Sequence, residues 1–231
     1  MVNSSETVAS MVTRMPWTSR AFEQHKIDFC CGGKRSIADA CERANISVDQ
    51  LNQTMQEIEG KLTAGQRSQG TMADLTSAEL IDRIVHVHHD YIRNEIPLLV
   101  QLATKVSTKH GARDPRLHEV LSTFMTLSNE LLSHIAKEEA VLFPYMQQME
   151  MMGSAQDNPV NLDGPIHRML TEHDEAAVLL EKLREVTDDY VPPEIACNSH
   201  RAMLDGLERF DADLRQHIHL ENNILFPRFS N

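Results

Sequence analysis

His134-Ile-Ala-Lys-Glu138-Glu-Ala-Val-Leu-Phe-Pro144 and His217-Ile-His-Leu-Glu221-Asn-Asn-Ile-Leu-Phe-Pro227 are two copies of one phrase, 83 positions apart. Each sets a His and a Glu four residues apart, ahead of an apolar run closed by Leu-Phe-Pro. On a helix, positions i and i+4 share a face, with Cβ atoms about 6 Å apart. An imidazole nitrogen beside carboxylate oxygens suits a borderline first-row metal such as iron. One HxxxE is weak evidence; two with the same flanks indicate a duplicated, metal-binding helical hairpin.

The apolar pattern around the phrases is helical throughout. One stretch starts at the capping box Thr76-Ser-Ala-Glu79 and stops near Gly111, with Ile81, Ile84, Val85, Ile92, Ile96, Leu99 and Leu102 inward and a kink expected at Pro97. A second starts at Asp114-Pro115 and turns Leu117, Leu121, Phe124, Leu127, Leu131 and Leu142 inward. The third follows Asp163-Gly-Pro165, and the last runs from Pro192-Pro193 to Pro227, with Ile195, Met203, Phe210, Leu214, Ile224 and Leu225 on its inner face. No period-2 segment competes. The expectation is an all-α chain whose main part is an up-down-up-down four-helix bundle.

Residues 63–72 are small, polar and aperiodic, and read as a linker. Ahead of them, residues 1–62 carry short helical patterns at Pro16–Ile27 and Ser47–Leu62, the latter opened by the capping box Ser47-Val-Asp-Gln50. The expected division is therefore a small N-terminal helical domain (1–62), the linker, and the bundle (73–231). The loop from Met149 to Asp163 separates the two hairpins.

The stripes supply two more ligands. His89 shares a face with Ile81, Val85, Ile92 and Ile96, and His173 shares one with Ile166, Leu170, Ala177 and Leu180. His89 precedes His134 by 45 residues and His173 precedes His217 by 44, so each hairpin offers a His followed by an HxxxE. The candidate metal set is His89, His134, Glu138, His173, His217 and Glu221. Buried carboxylates cost several kcal/mol unless paired or metal-bound, which argues against six ordinary core residues. Six ligands are too many for one tetrahedral zinc and too rich in nitrogen for magnesium or calcium. They suit two iron ions bridged by the glutamates, with open positions for an oxo group or a small molecule.

Glu130, one turn before His134, and Glu172, beside His173, are candidates to accept the free imidazole N–H, or else are surface residues; the sequence leaves both readings open. A register slip of one would exchange His88 for His89. His86, His167 and His219 are expected to face out, and His110 to end a helix. Cys30 and Cys31 occupy the Gly-ended turn Asp28-Phe-Cys-Cys-Gly-Gly33 with Lys26, Lys34 and Arg35 nearby; they read as exposed thiols able to bind iron, exchange electrons or react with nitric oxide, with packed small hydrophobes as the alternative. Cys41 and Cys197 read as packing residues.

Composition excludes several classes. The net charge of −12 disfavours a nucleic-acid partner, and all of that excess lies beyond Arg67. No stretch approaches the ~20 apolar residues of a membrane span. Residues 1–9 lack the basic start and apolar core of a signal peptide, so the expected location is the cytoplasm, where thiols stay reduced.

With its Asp28–Gly33 turn in a short N-terminal domain, followed by a duplicated HxxxE bundle ending in Leu-Phe-Pro, the chain resembles the RIC (repair of iron centres) family of hemerythrin-like di-iron proteins. The resemblance spans nearly the whole chain and implies repair of iron–sulfur clusters damaged by nitrosative or oxidative stress. It implies a di-iron centre on His89, His134, Glu138, His173, His217 and Glu221, with Glu138 and Glu221 bridging. Proteins with damaged clusters are the implied partners, and Cys30 and Cys31 would be the family's cysteine pair, relaying iron. Reduction of nitric oxide and reversible binding of O2 or nitric oxide stay open as alternatives. So does a homodimer as an assembly.

Overall fold

In a computed structural model, residues 2–63, 72–152 and 161–230 are described; most of the expected linker and the middle of the 149–163 loop lie outside them. Among the described residues all regular structure is helical, apart from one isolated antiparallel bridge between Thr7 and Ser36. None of these helices is long and apolar enough to cross a membrane. By contact density the chain divides into two compact units, residues 1–81 with 215–231, and residues 82–214.

The unit of residues 82–214 is the body of the bundle. Its helices are α6 (Asp90–His110), α7 (Arg116–Lys137), α9 (Asp163–Val186) and, as far as Leu214, α10 (Asn198–Leu220), with the shorter α8 (Phe143–Met152) extending the second arm. The stripes bury much as their spacing requires: Ile92, Ile96 and Leu99 on α6, Leu117, Phe124, Leu127 and Leu131 on α7, Ile166, Leu180 and Leu183 on α9, and Met203, Phe210 and Leu214 on α10. Phe124 and Phe210 meet edge to face across the centre, centroids 5.4 Å apart. Helices α6 and α10 approach closely because residue 206 is glycine; a Cβ there would stand 2.5 Å from Leu99 Cδ2. A buried Asp211 accepts from Arg184 Nε at 2.5 Å and from the Tyr190 hydroxyl at 3.0 Å, tying α9 to α10. Ile195 departs from its expected inward place: it lies ahead of α10 and is exposed.

Capping explains where the helices start. Thr76 Oγ1 accepts from Glu79 N at 3.2 Å while Glu79 Oε2 accepts from Thr76 N at 2.8 Å, opening α5 (Ser77–Arg83). The reciprocal Ser47–Gln50 box opens α4 (Val48–Lys61). Between α5 and α6 the chain does not follow a plain α-helix. It takes π-helical turns at Ile84–His89, and again at Glu138–Leu142 and Glu221–Leu225. In each, an N–H reaches five residues back: Asp90 to Val85, Phe143 to Glu138 and Phe226 to Glu221. The repeated Leu-Phe-Pro accounts for two of them. Proline offers no N–H to the carbonyl four residues before it and crowds that carbonyl, so the ladder ahead of it opens.

The other unit holds α1 (Val8–Arg14), α2 (Ser19–Gln24), α3 (Ile37–Arg43) and α4, together with the C-terminal segment from Arg215. Val8, Met11, Val12, Phe22, Ile37 and Leu51 form its apolar centre.

Candidate metal centre

Within residues 82–214, four elements aim side chains at one buried point. His89 ends the first π turn, His134 sits in the last turn of α7, Glu138 begins the second π turn and His173 lies mid-way along α9. All four are buried, Glu138 and His89 completely. His134 Nε2 lies 3.0 Å from His173 Nε2 and 3.3 Å from Glu138 Oε1, while His89 Nε2 lies 3.5 Å from Glu138 Oε2. The two oxygens of one carboxylate thus face two different imidazoles, His134 and His89. In the other unit, His217 Nε2 stands 3.0 Å from Glu221 Oε1, again with both side chains fully buried. Predicted ligands His89, Glu138 and Glu221 each lie in a π turn, a distortion that concentrates at functional sites.

Outside this set, carboxylates hold the imidazoles. His134 Nδ1 donates to Glu172 Oε2 at 2.7 Å, and Glu172 also receives Lys137 at 2.5 Å and Arg168 at 2.7 Å. Burial works to raise the Glu172 carboxyl, but the bonds from Lys137, His134 and Arg168 outweigh it and hold it at about 2. His89 Nδ1 donates likewise to Glu139 Oε1 at 2.7 Å, and Arg93 Nη2 meets the same oxygen at 2.6 Å. At Glu139 too, burial raises the carboxyl and the Arg93 and His89 bonds bring it below its ordinary value. Both rings therefore keep Nδ1 outward and Nε2 inward, the orientation a metal-bound imidazole needs.

These contacts revise the outer positions. Glu172 serves His134 on the neighbouring helix, not the adjacent His173. Glu130 is exposed, which agrees with the surface reading of the two that the sequence left open. Glu139, which the sequence reading overlooked, takes the accepting role instead; its signal was its place directly after the ligand Glu in the first copy of the phrase. His88 and His89 are both buried, because the widened π turn sets neighbours closer in angle, and His88 Nδ1 bonds Asp213 at 3.0 Å. His86 faces out as expected, beside Asp82.

His219 does not face out. It is buried within its own unit, where Nδ1 donates to the Phe29 carbonyl at 3.3 Å and Nε2 meets Thr13 Oγ1 at 3.3 Å. Burial drives its pKa down to about 4, so the ring is neutral. Within this unit the N-terminal residues Thr13 and Phe29 cover the face of the C-terminal segment that carries His219.

The cysteine turn lies in that same unit. Asp28 Oδ1 accepts from the backbone N–H of Cys30 at 2.9 Å and of Cys31 at 3.1 Å, and Oδ2 accepts from Gly32 at 2.7 Å. Gly33 is required: a Cβ would meet the Phe29 carbonyl oxygen at 2.5 Å and Ala9 Cβ at 2.7 Å. Cys30 and Cys31 hold their sulfurs 4.0 Å apart but are not equivalent. Cys30 is buried, contrary to the expected exposed thiol, and its thiol is pushed up by its bond to Cys31 and by burial. Cys31 is half-exposed. Asn222 Nδ2 reaches Cys31 Sγ at 3.8 Å, and Asn223 Nδ2 donates to the Cys30 carbonyl at 2.8 Å. Asn222 occupies, in the second copy of the phrase, the position that Glu139 fills in the first.

Comparison with known proteins agrees with this anatomy. Residues 80–229 match the hemerythrin HHE cation binding domain, and residues 4–59 match ScdA_N, a domain of unknown function. Over 227 residues, 97% of this chain and 96% of the relative, the sequence is 35% identical to the iron–sulfur cluster repair protein YtfE of Yersinia pseudotuberculosis serotype IB (strain PB1/+). The protein of that name from Yersinia pestis (strain Pestoides F) matches at the same identity and coverage. The chain belongs to the iron–sulfur cluster repair family. Within that family fold, its buried His/Glu cluster is a donor set able to hold metal. Of the donor atoms, those of His134, Glu138 and His173 lie within 4.8 Å of one another.

Proposed function

We propose that His89, His134, Glu138, His173, His217 and Glu221 hold two iron ions, with Glu138 and Glu221 bridging. The protein then repairs iron–sulfur clusters damaged by nitrosative or oxidative stress by supplying iron to them. The donor set fits the metal: imidazole nitrogens and buried carboxylates suit a borderline first-row cation, which also offsets the cost of burying the acids. When bound, the iron pair supplies the exchangeable metal that a damaged cluster lacks. Glu172 and Glu139 keep the His134 and His89 rings oriented, and the apolar bundle around them excludes bulk water.

The observation that carries the reading is the contact between Asn222 and Cys31. Residue 222 directly follows the ligand Glu221, so a half-exposed thiol stands one side chain from the segment that carries a ligand. Cys31 is the group placed to receive cargo iron and present it outward, with Cys30 behind it. The domain division proposed is an N-terminal thiol-bearing domain in residues 1–62 and an iron-binding bundle in residues 73–231, in keeping with the two family matches. The work is placed in the cytoplasm, where thiols stay reduced and the cluster-bearing enzymes are the substrates.

The test is to incubate protein loaded with labelled iron with a cluster enzyme inactivated by nitric oxide, following label and recovered activity together. Wild type should pass label into the enzyme. Cys31→Ala should load as much iron and pass it more slowly. Recovery at the wild-type rate in Cys31→Ala would remove the relay. Recovery with no movement of label would remove donation of iron.

A further inference from the structure

Two helix ends of opposite polarity meet within the 82–214 unit, away from the His/Glu cluster. His110 is the last residue of α6, where the unpaired carbonyls favour a cation. Cys197 caps α10: its carbonyl accepts from Arg201 N at 3.0 Å, and its sulfur accepts the backbone N–H groups of His200 and Ser199. The Cys197 sulfur lies 3.4 Å from His110 Nε2, the reach of a nucleophile and its base. This half-exposed thiol is not the packing residue the sequence suggested. It opens on a cavity of about 410 Å³ lined also by Lys105, Lys109, Asn198 and Ser199, within the size range of small-molecule sites. Among the described residues no acidic side chain lines that cavity, although the chain as a whole is strongly acidic.

We propose that Cys197 is a site of reversible thiolation, exchanging with a small disulfide that carries carboxylates, which Lys105 and Lys109 hold in the cavity. The bonds from His200 and Ser199 and the nearby Lys109 draw the thiol below its ordinary range, whereas burial pushes Cys41 up. His110 takes the thiol proton and pairs with the thiolate. The Cys197 sulfur attacks one sulfur of the disulfide; a new sulfur–sulfur bond forms and the old one breaks. Cys197 is thereby oxidised, and the departing half is reduced to a thiol that takes the proton from His110. The step is independent of the iron reading and needs no metal.

Oxidised glutathione is the probe and 2-hydroxyethyl disulfide its uncharged counterpart, each applied to the full chain with peptide mapping of every cysteine over time. Cys197 should form the mixed disulfide before Cys41 does. His110→Ala should slow both reagents roughly threefold to tenfold, because thiolate fraction and intrinsic nucleophilicity change in opposite senses. Lys105→Ala/Lys109→Ala should slow oxidised glutathione by a similar factor and leave 2-hydroxyethyl disulfide unchanged. All three positions border a solvent-open cavity, and thermal unfolding midpoints equal to wild type would establish that the variants fold. The proposal falls if Cys197 reacts no faster than a cysteine in an unstructured peptide. It falls equally if the lysine variant treats the two reagents alike.

Discussion

Glu172→Ala is expected to weaken iron binding by roughly tenfold to a hundredfold, or about 1.4–2.7 kcal/mol, the usual cost of removing a carboxylate that orients a metal-bound imidazole. Glu172 makes three contacts: His134, Lys137 and Arg168. The lysine and arginine side chains are 44% and 64% exposed and return to water when it is removed, so their loss contributes little. The cost therefore falls on His134, whose ring loses the partner at 2.7 Å that keeps Nε2 aimed at Glu138 and His173. Glu172→Gln keeps an acceptor oxygen without the charge and should fall between. The assay is competition for iron with a chelator of known affinity, at matched helical content. Glu130→Ala is the control, since Glu130 is exposed. Affinity of Glu172→Ala within twofold of wild type, or an equal fall in Glu130→Ala, would refute the reasoning.

Gly33→Ala should destabilise the N-terminal unit by about 1–3 kcal/mol, because the added methyl meets backbone rather than a movable side chain, whereas Gly60→Ala, with nothing within 4 Å inside α4, should stabilise it by about 0.5–1 kcal/mol. Urea unfolding of both variants checks the pair. Phe124→Ala should cost about 3–5 kcal/mol in the same measurement, as it empties the centre of the bundle against Phe210. Burial holds the pKa of His200 below its ordinary value, so the unfolded chain takes up its proton first. Stability should then decline as pH falls through the ordinary histidine range near 6.5, levelling once the folded-state value is passed, and His200→Gln should flatten that decline.

Much of the fold was legible because the bundle rests on local spacing. The stripes of α6, α7 and α9 repeat with the helical period, and the capping residues Thr76 and Ser47 mark starts that hydrogen bonds make visible. Ile195 was misplaced because a run of apolar spacing does not say where a helix begins after two prolines.

In the candidate site, His134, Glu138 and His173 converge as their shared faces require. Glu139 escaped notice since a 3.6-residue period assigns position 139 to a different face from 138. The π turn at Glu138 breaks that period, and another at His89 lets both His88 and His89 be buried.

The sequence by itself determined an all-helical chain, a duplicated His and HxxxE pattern, and a cysteine turn marked by its two glycines. Those follow from the reach of side chains three and four residues apart and from the steric limits of the backbone. Tertiary structure decided the burial of His219, the inequality of Cys30 and Cys31, the choice of Glu172 and Glu139 over Glu130, and the meeting of His110 with Cys197. Each of these depends on which face a distant segment covers, and local periodicity carries no term for that.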